Sequence, residues 1–157
     1  MKLSVAASVL AVSAALAATA MAQPSPNFQI AVRKGAMNLQ SKYAGPLFAM
    51  ARGATPYDAK IAQRNADYLV IISQMPWEDF QPNSLGLPNT KAKDVILKDA
   101  DKFKQQVDTL QSDTQKVAAA VRSGDQAAVK SAVQAMGRNC NSCHENFSDF
   151  DFRFKFE

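Results

Sequence analysis

The residues of this sequence that could do chemistry lie together near its carboxyl end, in the run Cys140-Asn141-Ser142-Cys143-His144. Both cysteines and the single histidine of the sequence are found there. On a helix these three positions share one face, because residues three and four apart are neighbours. Two thiols could then add to the vinyl groups of one haem while the imidazole sits beneath its iron, and this spacing is the attachment pattern of c-type haem. The sequence therefore predicts one covalently attached haem c on Cys140 and Cys143, with His144 as an axial iron ligand.

Three other sites fit the same residues less well. A disulfide oxidoreductase has its cysteine pair at a helix N-terminus after a strand, where the macrodipole lowers the thiol pKa. Here the pair falls near the C-terminal end of a helical pattern, and no strand pattern precedes it. A structural zinc ion needs about four ligands, and two cysteines with one histidine supply three. A structural disulfide would leave His144 without a role.

Two helical segments are predicted in the first half of the chain. Segment A covers about residues 28–51. Pro46 cannot donate to the carbonyl of Lys42, so we expect a kink or a break there. Segment B is predicted to begin with Thr55 as its cap and Pro56 in the first helical position. The predicted inner residues are Ile30, Met37, Ala44 and Phe48 in segment A, and Ile61, Asn65, Tyr68, Ile72 and Met75 in segment B.

Two further helical segments follow a loop at residues 77–90 that is rich in Pro, Gly and Asn. Segment C has the clearest helical pattern, an alternation of four and three residues. Segment D follows a turn in which Asp125 can cap the helix. Four amphipathic helices with mostly short connections predict an all-α fold, an antiparallel up-down four-helix bundle with the haem in its interior. The predicted inner residues are Ile96, Ala100, Phe103, Val107, Leu110, Thr114, Val117 and Val121 in segment C, and Val129, Ala132, Met136, Cys140, Cys143 and Phe147 in segment D.

The first residues have the pattern of an export signal. Lys2 precedes an apolar run at residues 3–16, and Ala20-Met21-Ala22 is a cleavage site of the A-x-A type. We therefore expect a signal peptide at residues 1–22, cleavage after Ala22, a periplasmic location and one domain at residues 23–157. No segment has the ~20 apolar residues of a membrane-spanning helix. The basic residues are scattered among acidic ones, so we do not expect a nucleic-acid partner.

Several stretches of the sequence resemble the class II cytochromes c, the family of cytochrome c′ and its low-spin, Met-ligated relatives. These stretches are residues 140–147, the junction Arg52-Gly53 … Pro56-Tyr57-Asp58, and Met75-Pro76-Trp77 … Phe80. The resemblance implies that Arg33 reaches a haem propionate and that Met37 covers the distal face of the iron. The two residues lie one helical turn apart, which agrees with that placement. The sequence departs from the family at Lys34, where Gln is common, and at Ser148, where many members have a basic residue.

The second axial position of the iron distinguishes two functions. If the sulfur of Met37 is the second axial ligand, the centre is His/Met-ligated and has a raised potential suited to electron transfer. If Met37 only fills space, as flexible Met side chains do in cores, the iron is five-coordinate and open to small diatomic gases such as NO and CO. The sequence leaves both alternatives open.

Further expectations concern partners and catalysis. The resemblance to cytochrome c′ implies a homodimer formed by helix faces that do not contact the haem. The redox partner protein is not identified by any motif. We expect no enzymatic activity, because the sequence has no nucleophile–base pair and its single histidine excludes a histidine acid–base pair.

The C-terminal tail, residues 148–157, alternates Phe with charged or polar residues. This pattern favours a half-buried extended strand, although the same residues could extend segment D. Four exposed Phe side chains would form an apolar patch of the kind that marks a contact surface. We therefore expect the tail to pack against the bundle or a partner. Deleting residues 149–157 should then lower thermal stability or dissociate an oligomer and leave the haem spectrum nearly unchanged.

Overall fold

Helices make up most of the computed structural model, which describes residues 24–151 and 153. They are α1 (Pro26–Ala51), α2 (Ala59–Ile72), α3 (Val95–Lys98), α4 (Ala100–Ser123) and α5 (Gln126–Phe147). The four long helices form a ring in which α1 packs on α2 and α5, and α4 packs on the same two helices. The predicted all-α four-helix bundle is confirmed. The predicted export segment, residues 1–22, lies outside the described residues. None of the helices in residues 24–151 is both long and apolar enough to cross a membrane.

Helix α1 begins with Ser25, whose Oγ accepts a hydrogen bond from the Phe28 amide at 3.3 Å, and has Pro26 in its first turn. It continues through Pro46 to Ala51, so the chain does not break there. A proline removes one hydrogen bond of a helix, and packing of the flanking residues maintains the helix: Leu47 and Phe48 are fully buried.

Helix α2 differs from its prediction at its start and in its buried face. Asp58 caps it, with Oδ1 accepting from the Ile61 amide at 2.9 Å, so the predicted start at Thr55 and Pro56 is wrong. A carboxylate is a good cap, and Asp58 fixes the start of the helix three residues later than predicted.

The predicted inner face of α2 is also partly wrong. Asn65 and Ile72 are buried as predicted, whereas Ile61, Tyr68 and Met75 are exposed, and Ala62, Ala66 and Leu69 are buried instead.

Helices α3 and α4 replace the single predicted segment C. The backbone of Asp99, at φ −114° and ψ 44°, leaves helical geometry and separates them. Most of the predicted stripe is confirmed, but Ala100 is exposed beside this break.

The turn between α4 and α5 begins at Gly124, which has the left-handed conformation at φ 75°. Glycine adopts this conformation without strain. Asp125 caps α5 as predicted, with Oδ1 accepting from the amides of residues 127 and 128 at 2.9 and 3.1 Å.

The buried side chains form two clusters. The larger one fills the bundle between all four long helices and contains Phe48, Leu69, Val117 and Met136. The smaller one lies where the loop before α4 meets the end of α5, and is built on Leu85, Ile96 and Phe147. Residues of both clusters line one cavity, which therefore lies between them.

Candidate haem site

A cavity of about 450 Å³ opens between α1, α4, α5 and the loop after α2. Cofactor and small-molecule sites in proteins typically measure roughly 300–1,000 Å³ and are mainly apolar. The walls are mainly apolar here too, with Ile30, Ala44, Leu69 and Leu110 among them. The cavity has the size and character of a site for a large flat cofactor.

Helix α5 places the three residues of the motif on one wall of this cavity. Cys140, Cys143 and His144 all line it, and each is half-buried. This follows from their spacing, since i, i+3 and i+4 lie on the same side of a helix. Both cysteines are free thiols and form no disulfide, which leaves both sulfurs available for thioether bonds.

The electrostatic surroundings of the motif disfavour charge on all three side chains. Burial raises the pKa of the Cys140 thiol to about 12, with contributions from Cys143 and Asp113, and burial raises that of Cys143 to about 11. A disulfide oxidoreductase needs the opposite, a thiol with a lowered pKa. Burial also lowers the pKa of His144, although a hydrogen bond with the Phe150 backbone opposes this. A neutral imidazole is the form that binds a metal ion.

Two methionines line the cavity, on different walls. Met37 lies on α1, half-buried, while Met136 lies on α5, on the same helix as His144 and almost fully buried. Met50 and Met75 are not among the described lining residues; the Met50 sulfur accepts from the Asp58 amide at 3.2 Å. Met37 is therefore the methionine that faces the cavity from a helix other than that of His144.

Arg33 lines the cavity, but its guanidinium is held by the loop after α2. Nη1 donates to the Asp79 carbonyl at 3.1 Å and to Ser84 Oγ at 3.1 Å. Nη2 donates to the Ser84 carbonyl at 2.7 Å and to Thr90 Oγ1 at 3.4 Å. The charge also lies over the Phe80 ring, 4.8 Å from its centroid. These contacts anchor the loop on α1, and the expected contact with a propionate stays a prediction.

Aromatic rings form another wall. Trp77 and Phe80 stack with centroids 5.8 Å apart, and Phe103 packs on both, at 6.0 and 4.9 Å. Phe103 also meets Phe147 edge-on at 5.3 Å. The Trp77 Nε1 donates to the Ser73 carbonyl at 2.7 Å, which fixes the indole. The segment after α2 is thus a rigid aromatic cover for the cavity.

Sequence reasoning missed three groups of residues that line the cavity or hold its lining residues in place. Phe103 was predicted to be buried, and its periodicity gave no sign that it lines a cavity. Ser84 and Thr90 lie in an irregular loop, where no pattern indicates a partner for Arg33. Lys91, which is exposed and lines the cavity, follows Thr90 in that loop. The signal available in the sequence was the positive charge of Lys91, because a haem has carboxylates that attract basic residues. The position of Lys91, however, depends on the path of the loop.

The residues of the tail also reach the cavity. Phe150 lines it, and its ring centroid lies 6.1 Å from that of His144. Ser148 forms an antiparallel bridge with Ala92, so the tail leaves α5 in extended form and does not lengthen the helix. The expectation that a deletion of the tail leaves the haem spectrum nearly unchanged stays a prediction, and the position of Phe150 beside His144 argues against it. Phe152, Phe154 and Phe156 lie outside the described residues.

The donor set and the cavity fit a covalent haem. Two thiols and one imidazole share a wall, a methionine lies on another, and basic side chains stand at the rim where carboxylates would emerge. In the described part of the chain, no group of three Cys, His, Asp or Glu side chains is placed to hold a separate metal ion.

Comparison with known proteins gives the same assignment. The family model described as Cytochrome C′ matches residues 28–148. A cytochrome c′ of Rubrivivax gelatinosus is 34% identical over 124 residues, covering 79% of this chain and 96% of the relative, and its crystal structure superposes with a TM-score of 0.74. A cytochrome c prime structure from Shewanella frigidimarina has a TM-score of 0.78 at 28% identity and covers 82% of this chain and 99% of its own. A nitric oxide complex of a cytochrome c prime variant from Alcaligenes xylosoxidans has a TM-score of 0.73 at 28% identity, covering 80% and 98%.

Proposed function

The chain belongs to the cytochrome c′ family, and on that premise we propose that it is a periplasmic haem protein that transfers electrons, binds a diatomic gas, or does both. The observation that carries this proposal is the shared cavity wall of Cys140, Cys143 and His144, with Met37 on another wall. Bound haem c supplies a one-electron iron couple and an iron site for small neutral ligands.

Residues of α5 would hold the single haem. Cys140 and Cys143 would each contribute one thioether bond, and His144 one ring nitrogen to the iron. The low polarity of the walls keeps the imidazole neutral, because burial lowers its pKa. The same walls exclude bulk water, which favours neutral gases over charged ligands.

Met37 would control the other side of the iron. Its thioether is flexible and lines a mainly apolar cavity, so it can approach the iron as a second axial ligand or stand aside as a steric plug. In the first case the protein is an electron carrier. The second case is the alternative function, a strictly five-coordinate NO and CO binder, and the nitric oxide complex of the Alcaligenes xylosoxidans relative favours it.

Basic residues would accommodate the haem carboxylates at the rim. Lys34 and Lys91 line the cavity and are exposed. The Lys34 ammonium donates to the Asn89 carbonyl at 2.9 Å, which holds it beside the loop. Arg33 is almost fully buried and lies deeper than these lysines. It would therefore contact a propionate in addition to its partners in the loop. The lysine in place of the common glutamine thus adds charge at the rim.

A homodimer would cover an apolar face on α1 and α2. Six exposed apolar side chains lie on these helices and on the residues just after α2, and three of them lie on α2 at helical spacing. The two helices are joined there by Tyr43 and Tyr68, whose ring centroids are 4.8 Å apart. Exposed apolar patches on soluble proteins often mark contact surfaces. The side chains are Phe28, Leu39, Ile61, Tyr68, Ile71 and Met75.

Optical spectra of the purified ferric and ferrous protein, with and without CO, test the proposal. A Soret band that stays with the polypeptide indicates covalent haem. A low-spin ferrous spectrum that CO changes slowly supports Met37 ligation. A high-spin spectrum that CO changes at once supports the five-coordinate alternative. A colourless protein, produced in a host that matures c-type cytochromes, would refute the function.

We also propose that the protein is not an enzyme and that residues 1–22 direct its export.

A further inference from the structure

The chain beyond α5 forms a short segment, residues 148–150, here called the proximal strap, which is extended at Ser148 and bends after it. It lies antiparallel to residues 91–93. The Lys93 amide donates to the Phe147 carbonyl at 3.1 Å, and the Asp149 amide donates to the Lys91 carbonyl at 2.8 Å. Ser148 is fully extended at φ −139° and ψ 145°. The backbone of the strap is thus fixed on both sides of Ser148.

Side chains add to this attachment. The Lys93 ammonium donates to the Glu145 carbonyl at 3.2 Å and lies 3.7 Å from the Asp149 carboxylate. Glu145 is in the last turn of α5, where carbonyls lack helical partners and a positive charge is favourable. The Phe150 amide donates to Ser148 Oγ at 3.0 Å. Lys93 therefore connects the end of α5 to the strap, immediately after the haem motif.

The strap brings Phe150 to the proposed iron ligand. The rings of Phe150 and His144 meet edge-on, with centroids 6.1 Å apart and planes at 62°. Neighbouring groups orient the ligating histidines of metalloproteins, and their loss commonly alters the properties of the metal.

We propose that the proximal strap is a positioning element for the axial ligand: residues 148–150 fix the plane of the His144 ring, and Phe150 keeps water from one side of it. This inference rests on the proposed function, since it requires His144 to ligate haem iron. Phe150 remains half exposed, at 54%, because it covers the ligand from outside. Its role is to orient and shield His144, and the thiols of α5 are attached independently of it.

Two substitutions in the haem-loaded protein separate positioning from simple stability. Phe150→Ala removes the ring but keeps the backbone. Asp149→Pro removes the amide that donates to Lys91, and the extended Ser148 is compatible with a following proline. Leu97→Ala is the control for the loss of an exposed apolar side chain, because Leu97 is 46% exposed and is not among the residues that line the cavity. Asp149→Ala is the control for the proline, because it keeps the amide.

The readouts are the midpoint potential and the iron–histidine vibration in resonance Raman spectra. We expect Phe150→Ala to lower the potential, because water beside the ligand stabilises the more highly charged ferric state. We expect Asp149→Pro to shift and broaden the vibration, and Phe150→Leu to restore most of the wild-type behaviour. Leu97→Ala should match the wild type, and Asp149→Ala should stay close to it, because it loses only the exposed contact with Lys93. If both test variants keep the wild-type potential and vibration and only their melting temperatures fall, the positioning role is overturned. A wild-type protein without covalent haem would instead refute the proposed function.

Discussion

Replacing Arg33 with Met is expected to loosen the loop that closes one side of the haem cavity. The Met side chain keeps an apolar stem of similar length beneath Phe80 but donates no hydrogen bond. Four contacts of the guanidinium disappear: Nη1 with the Asp79 carbonyl and Ser84 Oγ, and Nη2 with the Ser84 carbonyl and Thr90 Oγ1. The loop is then attached to α1 by packing and by the exposed hydrogen bonds of Asn89 with Lys34 and Asn27.

The size of the effect follows from the burial of the guanidinium. Arg33 is only 4% exposed. Hydrogen bonds to a charged group contribute ~1.5–3 kcal/mol each, and bonds from one side chain add incompletely. Part of this loss of stability is offset, because the burial of the Arg33 charge is itself unfavourable. Burial lowers the pKa of Arg33, and the nearby Asp79 opposes this shift. We expect the free energy of unfolding to fall by ~2–4 kcal/mol. The melting temperature should then fall by roughly 8–16 °C, at about 4 °C per kcal/mol for a domain of this size.

The assay is thermal unfolding of the haem-loaded protein, followed by far-ultraviolet circular dichroism, with hydrogen exchange of residues 79–90. Arg33→Lys is the matched variant: it keeps the charge but lacks the planar fork, so it should recover only part of the stability. If Arg33→Met melts at the wild-type temperature and residues 79–90 keep their protection, Arg33 is not the anchor of the loop. If the pH dependence of the midpoint potential changes while residues 79–90 keep their protection, Arg33 contacts a propionate and does not anchor the loop.

Three other predictions concern the haem, its distal side and the assembly. Acid–acetone extraction should leave the colour with the polypeptide, because thioether bonds survive denaturation, and Cys140→Ala or Cys143→Ala should impair maturation; colour that moves into the solvent contradicts the covalent link. Met37→Ala should convert a low-spin wild type to high-spin, or speed CO binding in a five-coordinate one, because the side chain lies on the cavity wall. Unchanged spin state and unchanged CO kinetics would mean that Met37 does not face the iron. Ile71→Asp, at a side chain 59% exposed on α2, should give monomers in sedimentation at micromolar concentration with an unaltered haem spectrum, and a wild type that is already monomeric would exclude the dimer.

The sequence alone determined the features that depend on neighbours along the chain. Cys140, Cys143 and His144 share a wall because helical geometry places i, i+3 and i+4 on one side. Asp125 caps α5 because its carboxylate reaches the amides two and three residues later. The stripe of α4 and most of that of α5 could be predicted for the same reason: in an amphipathic helix with one apolar face, only that face can be buried.

Tertiary structure decided the features that local pattern leaves ambiguous. Helix α2 has apolar residues on two sides, and the close approach of α1 and α4 selected the side with Ala62 and Ala66, leaving Ile61 and Tyr68 exposed. A small alanine side chain lets two helices approach each other closely, but the hydrophobic pattern of the sequence does not reveal this. The partners of Arg33 and of the proximal strap come from distant loops, where no periodicity applies. Their positions follow only once the bundle has fixed where α2 and α5 end, because backbone and side-chain hydrogen bonds between distant segments depend on packing in three dimensions.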